Sequence, residues 1–152
     1  MVESVDLGTS PDKVQLRFRD DEMADHATVT VDSCCDQTNA TAVRIEPGDD
    51  ARALLPFLDR LALIEVNFPV FGDGRGYSSA RLLREAGYEG ELRAIGDVAV
   101  DQLFNLRRCG FDSFAPDVAM DETDVKTALE RWEEVYQATT DGRVMIGNLR
   151  HE

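Results

Sequence analysis

The chain has 152 residues, 43% of them hydrophobic and 30% charged, which suits one globular domain with a hydrophobic core better than a disordered chain. Thirty acidic residues against sixteen basic ones give a formal charge of −14, which disfavours broad binding of nucleic acid or of an anionic membrane surface. The longest strongly apolar stretch, residues 61–71, is too short to cross a bilayer and contains Glu65.

The first third of the chain is predicted to form short strands. Residues 1–12 are predicted to be a flexible lead, and residues 14–18 then alternate apolar and polar side chains as a strand does. β-Branched runs at 27–31 and 41–45 predict two further strands. The polar stretch 32–39 between them is predicted to be a loop.

From residue 51 onwards the pattern alternates between helices and strands. The helices are predicted at 51–60, 77–86, 98–109 and 122–136, and the strands at 61–68, 91–96 and 111–115. Short connections between them predict right-handed crossovers. We therefore expect a single α/β domain over residues 13–136, followed by a tail at 137–152. Its mainly parallel sheet of about five strands is either open and flavodoxin- or Rossmann-like, or a half-barrel.

Neither a metal site nor an export signal is apparent. Cys34, Cys35 and Cys109 form no ligand spacing with each other or with the two histidines. The amino terminus shows no cationic leader and no apolar core with a cleavage site. We expect a cytoplasmic protein without a metal site of its own.

The segment 72–79, GDGRGYSS, follows a buried strand and opens a helix, at the edge of a parallel sheet where ligands bind. Its alternating glycines predict positive backbone φ angles and close approach of a ligand. Ser78 or Ser79 is expected to cap the helix, whose free N–H groups favour an anion. Arg75 adds a two-pronged donor for a carboxylate, phosphate or sulfur oxyanion. The alternative is a tight turn in which Asp73 and Arg75 satisfy each other and the backbone.

The same segment partly matches a dinucleotide-binding fingerprint. Gly74 and Gly76 precede the helix, and Asp97 ends the next strand, near the position of a ribose-binding acid. The match is incomplete because Ser79 replaces the third glycine and Arg75 is bulky. A nicotinamide or flavin cofactor is therefore an alternative, and the cofactor stays unassigned.

Arg93 lies inside a strand that is predicted to be buried, so its charge needs a partner. Asp97, Asp73 or Asp101 is expected to supply it. On the following helix, Asp101 and Arg108 lie on one polar stripe.

The charges are distributed unevenly along the chain. Residues 73–108 carry six arginines and six acidic residues, whereas the remaining residues carry ten basic and twenty-four acidic ones. This predicts an arginine-rich edge at the carboxyl ends of the strands, suited to an anion or to a docking partner.

The central third of the chain, FGDGRGYSSARLLREAGYEGELRAIGDVAVDQLFNLRRCGFD, resembles a bacterial family of unknown function. Its members are commonly labelled "oxidoreductase probably involved in sulfite reduction". The family pattern of DGRGYS, ARLLR, GELRA, GDV, DQLF and RCGFD stands here in order. The resemblance implies a pathway rather than a defined reaction or catalytic residue. The stretch between Ser33 and Ala40 is expected to be too short for a helix that many members have there.

Three functions follow as expectations. The leading one is an accessory protein of assimilatory sulfite reduction that binds sulfite reductase or an oxyanion at the carboxyl edge of the strands. The alternatives are a small NAD(P)- or flavin-dependent oxidoreductase and a module that binds a sulfur oxyanion or a nucleotide sulfate. Nucleic acid and membrane are not expected as partners, and a homodimer is left open. The candidate anion- or partner-binding residues are Asp73, Gly74, Arg75, Gly76, Tyr77, Ser78, Arg93, Asp97, Asp101 and Arg108.

Overall fold

The computed structural model describes residues 14–23 and 27–131. Its elements, in chain order, are β1 (Leu16–Arg17), β2 (Val29–Thr30), α1 (Val31–Asp36), β3 (Ala42–Ile45), a 3₁₀ helix (Ala51–Arg60), β4 (Leu63–Phe68), α2 (Arg75–Glu85), β5 (Glu91–Gly96), a 3₁₀ turn (Val100–Gln102), α3 (Leu103–Cys109), β6 (Ser113–Pro116) and α4 (Glu122–Glu130). The predicted lead, the predicted tail and the end of the predicted last helix lie outside the described residues.

One sheet joins the strands in the order β1-β6-β5-β4-β3-β2. The strands β2 to β6 are parallel neighbours in chain order, and β1 pairs antiparallel with β6 at one edge. The α/β fold with a mainly parallel sheet is thereby confirmed, with six described strands rather than about five. Among these strands the order contains no reversal of the kind that makes the crevice of flavodoxin- and Rossmann-like sheets. The half-barrel alternative stays a prediction.

The two faces of the sheet differ in chemistry. On one face, apolar side chains lie opposite each other across the strands, in the rows Val43–Ile64–Leu92 and Ile45–Val66–Ala94–Phe114. They form the core together with helical side chains, namely Leu54, Ala80, Leu83, Leu103, Leu106 and Val125. These helical side chains pack against the apolar rows, so the connecting helices that carry them lie on this face. The other face carries the alternate residues of each strand, many of which are charged.

Helix α1 occupies the polar stretch that the sequence predicted to be a loop. The Thr30 hydroxyl oxygen accepts a hydrogen bond from the backbone N–H of Ser33 at 3.2 Å and caps the first turn. At the other end, the Arg60 guanidinium donates to the carbonyl oxygens of Cys34 and Gln37 at 2.6 and 2.7 Å. The prediction was wrong because a distant arginine satisfies the carbonyl groups of a helix too short to be stable alone.

Two of the predicted helices contain tighter turns than expected. The segment Ala51–Arg60 is a 3₁₀ helix, consistent with Pro56 in its middle, which has no N–H to donate and disfavours the α geometry. The helix predicted from residue 98 begins as a 3₁₀ turn and becomes α-helical only at Leu103. It ends, as predicted, at Gly110, which has a φ of 115°. In the part of the chain that the structure describes, no helix is both long enough and apolar enough to cross a membrane.

Candidate functional site at the carboxyl edge of the sheet

A cleft of about 370 Å³ opens at the carboxyl ends of β3 and β4. One wall is the turn 46–52, which follows β3, and the other is the segment 73–79, which opens α2. The side chains of Val66, Asn67 and Phe68 line the cleft from β4. The predicted segment thus lies where ligands of parallel sheets bind, opposite a turn that the sequence did not connect with it.

Asp73 and Arg75 form a two-pronged ion pair at the cleft. Arg75 donates from Nη2 to Asp73 Oδ2 at 2.6 Å and from Nε to Asp73 Oδ1 at 3.0 Å. The backbone N–H of Arg75 also donates to Asp73 Oδ1, at 3.1 Å. These side-chain and backbone hydrogen bonds hold the pKa of Asp73 at about 2 and raise the pKa of Arg75. The pair therefore stays charged throughout the physiological pH range.

Asp73, rather than a serine, satisfies the first free N–H group of α2. The helix begins at Arg75, so Ser78 and Ser79 lie within it. Ser79 donates its hydroxyl to the carbonyl oxygen of Arg75 at 3.3 Å. The prediction of a serine cap was wrong because the helix starts two residues earlier than its apolar periodicity indicated.

None of the glycines of segment 72–79 has an unusual backbone conformation, and of the three only Gly76 is required by close packing. Gly74 has a φ of −83°, and neither Gly72 nor Gly76 has a positive φ, so that prediction was wrong. A Cβ atom on Gly76 would lie 2.5 Å from the ring of Phe68. Gly76 therefore allows the start of α2 to lie directly against β4.

The turn 46–52, which forms the opposite wall of the cleft, is stabilised by hydrogen bonds that do not involve segment 73–79. Gly48 has a φ of 94°, and a Cβ atom on it would be 3.9 Å from Nη1 of Arg75. Asp49 accepts a hydrogen bond from the N–H of Glu46 at 2.8 Å, and Asn67 donates to the Glu46 carboxylate at 2.7 Å. Residues 47–50, Pro-Gly-Asp-Asp, are of types that favour turns, but the position of this turn opposite Arg75 depends on the pairing of β3 with β4.

The cleft is acidic overall. Its two guanidinium groups already have carboxylate partners, Arg75 with Asp73 and Arg52 with Asp50 at 3.6 Å. The carboxylates that line the cleft outnumber them and belong to Glu46, Asp49, Asp50 and Asp73. This charge balance favours a neutral or cationic group over a free anion.

Tyr77 connects the cleft to the core. Its ring lies edge-on to Phe68, with the ring centroids 5.8 Å apart. Burial raises the pKa of the Tyr77 hydroxyl, and Cys109 raises it further. The hydroxyl therefore stays protonated at neutral pH, and the ring fixes α2 against β4.

Asp97 and Gln102 hold the loop that leads from β4 into the cleft. Asp97 accepts a hydrogen bond from the N–H of Phe71 at 3.2 Å, and Gln102 donates to the carbonyl oxygen of Phe71 at 2.6 Å. The N–H of Asp97 donates to the carbonyl oxygen of Phe68 at 2.7 Å. Gly96 has a φ of 93°, and a Cβ atom on it would lie 2.5 Å from the same carbonyl oxygen. Asp97 is thus a positioning residue for this loop.

Exposed apolar side chains stand on the loops of the same edge. Val70 and Phe71 follow β4 and are 58% and 59% exposed, and Val118 follows β6 and is 80% exposed. In the sequence, Val70 and Phe71 are the end of an apolar run that continues past a strand, and Val118 follows Asp117 without any such run. The exposure of Val70 and Phe71 depends on where β4 ends, which the run itself does not reveal.

The chain matches the family described as bacterial protein of unknown function (DUF934), over residues 42–146. The chain belongs to this family. The match includes both walls of the cleft and agrees with the resemblance seen in the sequence, and its description assigns no activity. No curated protein and no solved structure matches the chain. Within residues 14–23 and 27–131 of this DUF934 protein, no group of three or more histidine, cysteine, aspartate or glutamate residues is arranged to hold a metal ion.

Three predicted site residues of the DUF934 protein lie away from the cleft. Asp101 forms an ion pair with Arg131 at 3.5 Å. Arg93 is 1% exposed and points to the sheet face opposite the helices, where its Nη2 donates to Glu91 at 2.6 Å. Arg108 lies in the last turn of α3. The structure brings together segment 73–78 with Asp97 beside it, and separates Arg93, Asp101 and Arg108 from it. Glu91, not an aspartate of the edge, is the partner of Arg93.

The predicted arginine-rich edge was wrong. Of the six arginines in residues 73–108 of this DUF934 protein, Arg75 lines the cleft. Arg84 instead donates to the Gly110 carbonyl oxygen at 3.0 Å and to Asp112 at 2.9 Å, and Arg107 donates to the Phe111 carbonyl oxygen. Helices that leave the carboxyl edge run back along the sheet, so arginines in their last turns lie near the amino ends of the strands.

Proposed function

We propose that this DUF934 protein is an accessory protein of assimilatory sulfite reduction that docks onto sulfite reductase through the carboxyl edge of its parallel strands. The resemblance described above supports the pathway. The exposed side chains of Val70 and Phe71, which are adjacent in the chain, and of Val118 support the proposed docking, because exposed apolar side chains that lie together are typical of interaction surfaces. The proposal places the protein in the cytoplasm, together with the reductase.

Two side-chain hydrogen bonds support the backbone of Phe71 without any partner. Asp97 bonds to its N–H group and Gln102 to its carbonyl oxygen, so the loop has few free backbone groups to fix on binding. An aromatic side chain on a rigid support loses little conformational entropy when it enters a pocket of a partner. Aromatic residues of this kind carry a large share of the binding energy in protein interfaces.

The charge of the edge favours a protein partner over the oxyanion alternative. The exposed acidic residues of the connecting loops are Asp49, Asp50, Asp97, Asp101 and Asp117. Asp49 and Asp50 also line the cleft together with Glu46 and Asp73, so a free anion entering it meets four carboxylates. A partner with an apolar patch and a basic rim complements the same surface, and its binding should weaken with added salt.

A binding measurement with the full chain and purified sulfite reductase from the same cells tests the proposal. We expect Phe71→Ser to weaken binding at least tenfold, since it removes the proposed aromatic anchor. The matched control is Leu55→Ser, which replaces an apolar residue, 39% exposed, on the 3₁₀ helix. Absence of binding by the unaltered chain contradicts the proposal, as does an equal loss in the two variants.

A growth experiment tests the assignment to sulfite reduction independently of the proposed docking surface. A strain without the gene should grow poorly with sulfate as the sulfur source and normally with sulfide, because sulfide enters after sulfite reduction. The unaltered gene and the Leu55→Ser gene should restore growth on sulfate, and the Phe71→Ser gene should not. Normal growth of the deletion strain on sulfate would refute the assignment to this pathway.

A further inference from the structure

The floor of the cleft at the carboxyl edge of the sheet is apolar. Val66 and Phe68 line it from β4 and are almost completely buried, and Ile45 lines it from the end of β3. Ala51 and Leu82 add apolar side chains from the two walls. A concave site of this kind receives the apolar part of a ligand, while the polar groups around it determine which ligand fits.

The rim of the cleft carries a negative charge that the cleft itself does not neutralise. Four carboxylates and two guanidinium groups line it, which gives a net charge of −2. Both guanidinium groups are paired with carboxylates, and the two carboxylates that are left belong to Glu46 and Asp49. Within the described part of the chain, neither of these two forms an ion pair. The cleft therefore lacks a cation rather than an anion.

Glu46 and Asp49 lie on the same turn and accept hydrogen bonds from neutral groups. Glu46 Oε2 accepts one from the Asn67 side-chain amide at 2.7 Å, and Asp49 Oδ2 accepts one from the backbone N–H of Glu46 at 2.8 Å. These bonds hold both carboxylates on the wall of the cleft. The second oxygen of each accepts no hydrogen bond from residues 14–23 or 27–131 and is able to accept one from a ligand.

The size of the cleft suits one long side chain better than a whole element of a partner. Its volume of about 370 Å³ equals about twelve water molecules. A helix with its side chains is about 10–12 Å across and would not enter it. Arginine and lysine combine an apolar stem with a charged head, which matches an apolar floor beneath a rim of carboxylates.

The cleft adjoins the apolar side chains of the proposed docking surface. The backbone N–H of Asp73, in one wall of the cleft, donates to the carbonyl oxygen of Val70 at 3.1 Å. Phe71 follows Val70 in the same turn and is exposed. A single patch of a partner can therefore contact Phe71 and fill the cleft at the same time.

We propose that the cleft binds one basic side chain of sulfite reductase, beside the contact made by Phe71. The stem of that side chain lies on Val66 and Phe68, and its N–H groups donate to Glu46 and Asp49. This inference rests on the docking proposed above and adds the chemistry of a second contact. The apolar floor and the charged rim together select a long basic side chain over a short or a neutral one.

Two acetylated tripeptide amides, Gly-Arg-Gly and Gly-citrulline-Gly, are matched probes, because citrulline has nearly the shape of arginine and no charge. Each is titrated at low salt into the full, unaltered chain, and backbone amide signals are followed by NMR. We expect saturable one-to-one shifts of Gly48 and Gly76, which lie in opposite walls, and at least tenfold weaker binding of the citrulline peptide. Gly87, beyond the far end of α2, should not shift. Absence of saturable shifts at Gly48 and Gly76, or equal binding of the two peptides, overturns the proposal.

A variant pair tests the charge of the rim. Glu46→Gln keeps an oxygen that accepts the Asn67 hydrogen bond but removes the charge, and should weaken binding of the arginine peptide at least fivefold. Glu85→Gln is the matched control, because it removes the same charge at an exposed position of α2 that is paired with Arg81. Equal losses in the two variants would attribute binding to the overall charge and overturn the proposal. Thermal unfolding checks both variants, and the two peptides on the unaltered chain decide the question if Glu46→Gln does not fold.

Binding to purified sulfite reductase separates this inference from the docking on which it rests. Glu46→Gln should weaken that binding at least threefold and reduce its dependence on salt, and Glu85→Gln should change neither. If Phe71→Ser weakens binding and Glu46→Gln does not, the docking stands and the role of the cleft is refuted. If the unaltered chain does not bind the reductase, the docking is refuted and the peptide titrations still decide whether the cleft takes a basic side chain.

Discussion

At the cleft, Arg75 donates to Asp73 at 2.6 Å, whereas on the opposite face of the sheet the nearest charged atoms of Arg93 and Glu65 are 3.8 Å apart. Arg75 is 64% exposed and its hydrogen bonds hold the pKa of Asp73 at about 2. Glu65 is fully buried, and its burial raises its pKa more than Arg44 and Arg93 lower it. A guanidinium group therefore keeps the carboxyl at the cleft ionised, whereas in the interior the burial of the carboxyl outweighs its neighbouring guanidinium groups.

We therefore expect Asp73 and Arg75 to shape the cleft, and Arg93 and its carboxylate partners to stabilise the fold. Because Arg75 is 64% exposed, water takes its place when the guanidinium is removed, and this loss changes the local shape of the cleft and little else. Among the buried groups of Arg93, Glu65 and Glu91, removal of one partner leaves another charge buried without compensation. The next predictions test whether the two regions differ as strongly as their environments indicate.

The largest effect is expected for Arg93→Met. The variant leaves Glu65 and Glu91 without their shared guanidinium partner, and breaking a buried pair in this way costs about 3–5 kcal/mol of unfolding free energy. Urea unfolding should show a lower midpoint with an unchanged slope. Arg75→Met is the matched control and should leave the midpoint nearly unchanged. Equal losses in the two variants would mean that burial does not distinguish the pairs.

A smaller effect is expected for Gly76→Ala in the wall of the cleft. The added Cβ atom would lie 2.5 Å from the Phe68 ring, so α2 or the ring must shift, at a cost of about 1–3 kcal/mol. Gly74→Ala is the control, because nothing lies within 4 Å of a Cβ atom there and its φ is −83°. That variant should be neutral or slightly stabilising through the unfolded chain. Calorimetric melting temperatures of the two variants compare them directly, and a stable Gly76→Ala protein contradicts the packing role.

Local patterns were enough to predict most of the parallel βα units. The apolar runs of β4 and β5 and the helix end at Gly110 are encoded within a few neighbouring residues. The helix α1 escaped prediction because its carbonyl groups depend on Arg60, from a later element. Sequence patterns do not show a partner that arrives through the tertiary fold.

The position of segment 72–79 in the candidate site was also predictable from the sequence. Segment 72–79 follows a buried strand, and the rule that ligands bind at strand ends placed it at the correct edge. The place of the turn at Gly48 and the cross-strand alignment of Arg44, Glu65 and Arg93 were not predictable, since both depend on which residues face each other across strands. The partner of Arg93 was wrongly predicted for the same reason, because proximity in sequence suggested the aspartates of the loop.

The smallest expected effect is the dependence of the unfolding free energy on pH. It compares the carboxyls of Asp73 and Glu65 directly. For each carboxyl, the informative quantity is the unfolding free energy of the unaltered chain minus that of its amide variant, measured by urea unfolding across a pH series. Asp73 has a lowered pKa, so the difference from Asp73→Asn should rise as the pH increases from about 2 to 3.8 and stay constant above that.

Glu65 should give the opposite sign. Its pKa is raised by burial, so above the ordinary value of 4.5 the unfolded chain loses this proton while the folded chain keeps it. The folded state then binds more protons than the unfolded state, and stability falls as the pH rises. The difference from Glu65→Gln should therefore decrease between 4.5 and the raised pKa of Glu65, then level off. Arg44, Arg93 and Thr28 face this carboxyl, and a difference that instead rises with pH would mean that these partners outweigh its burial.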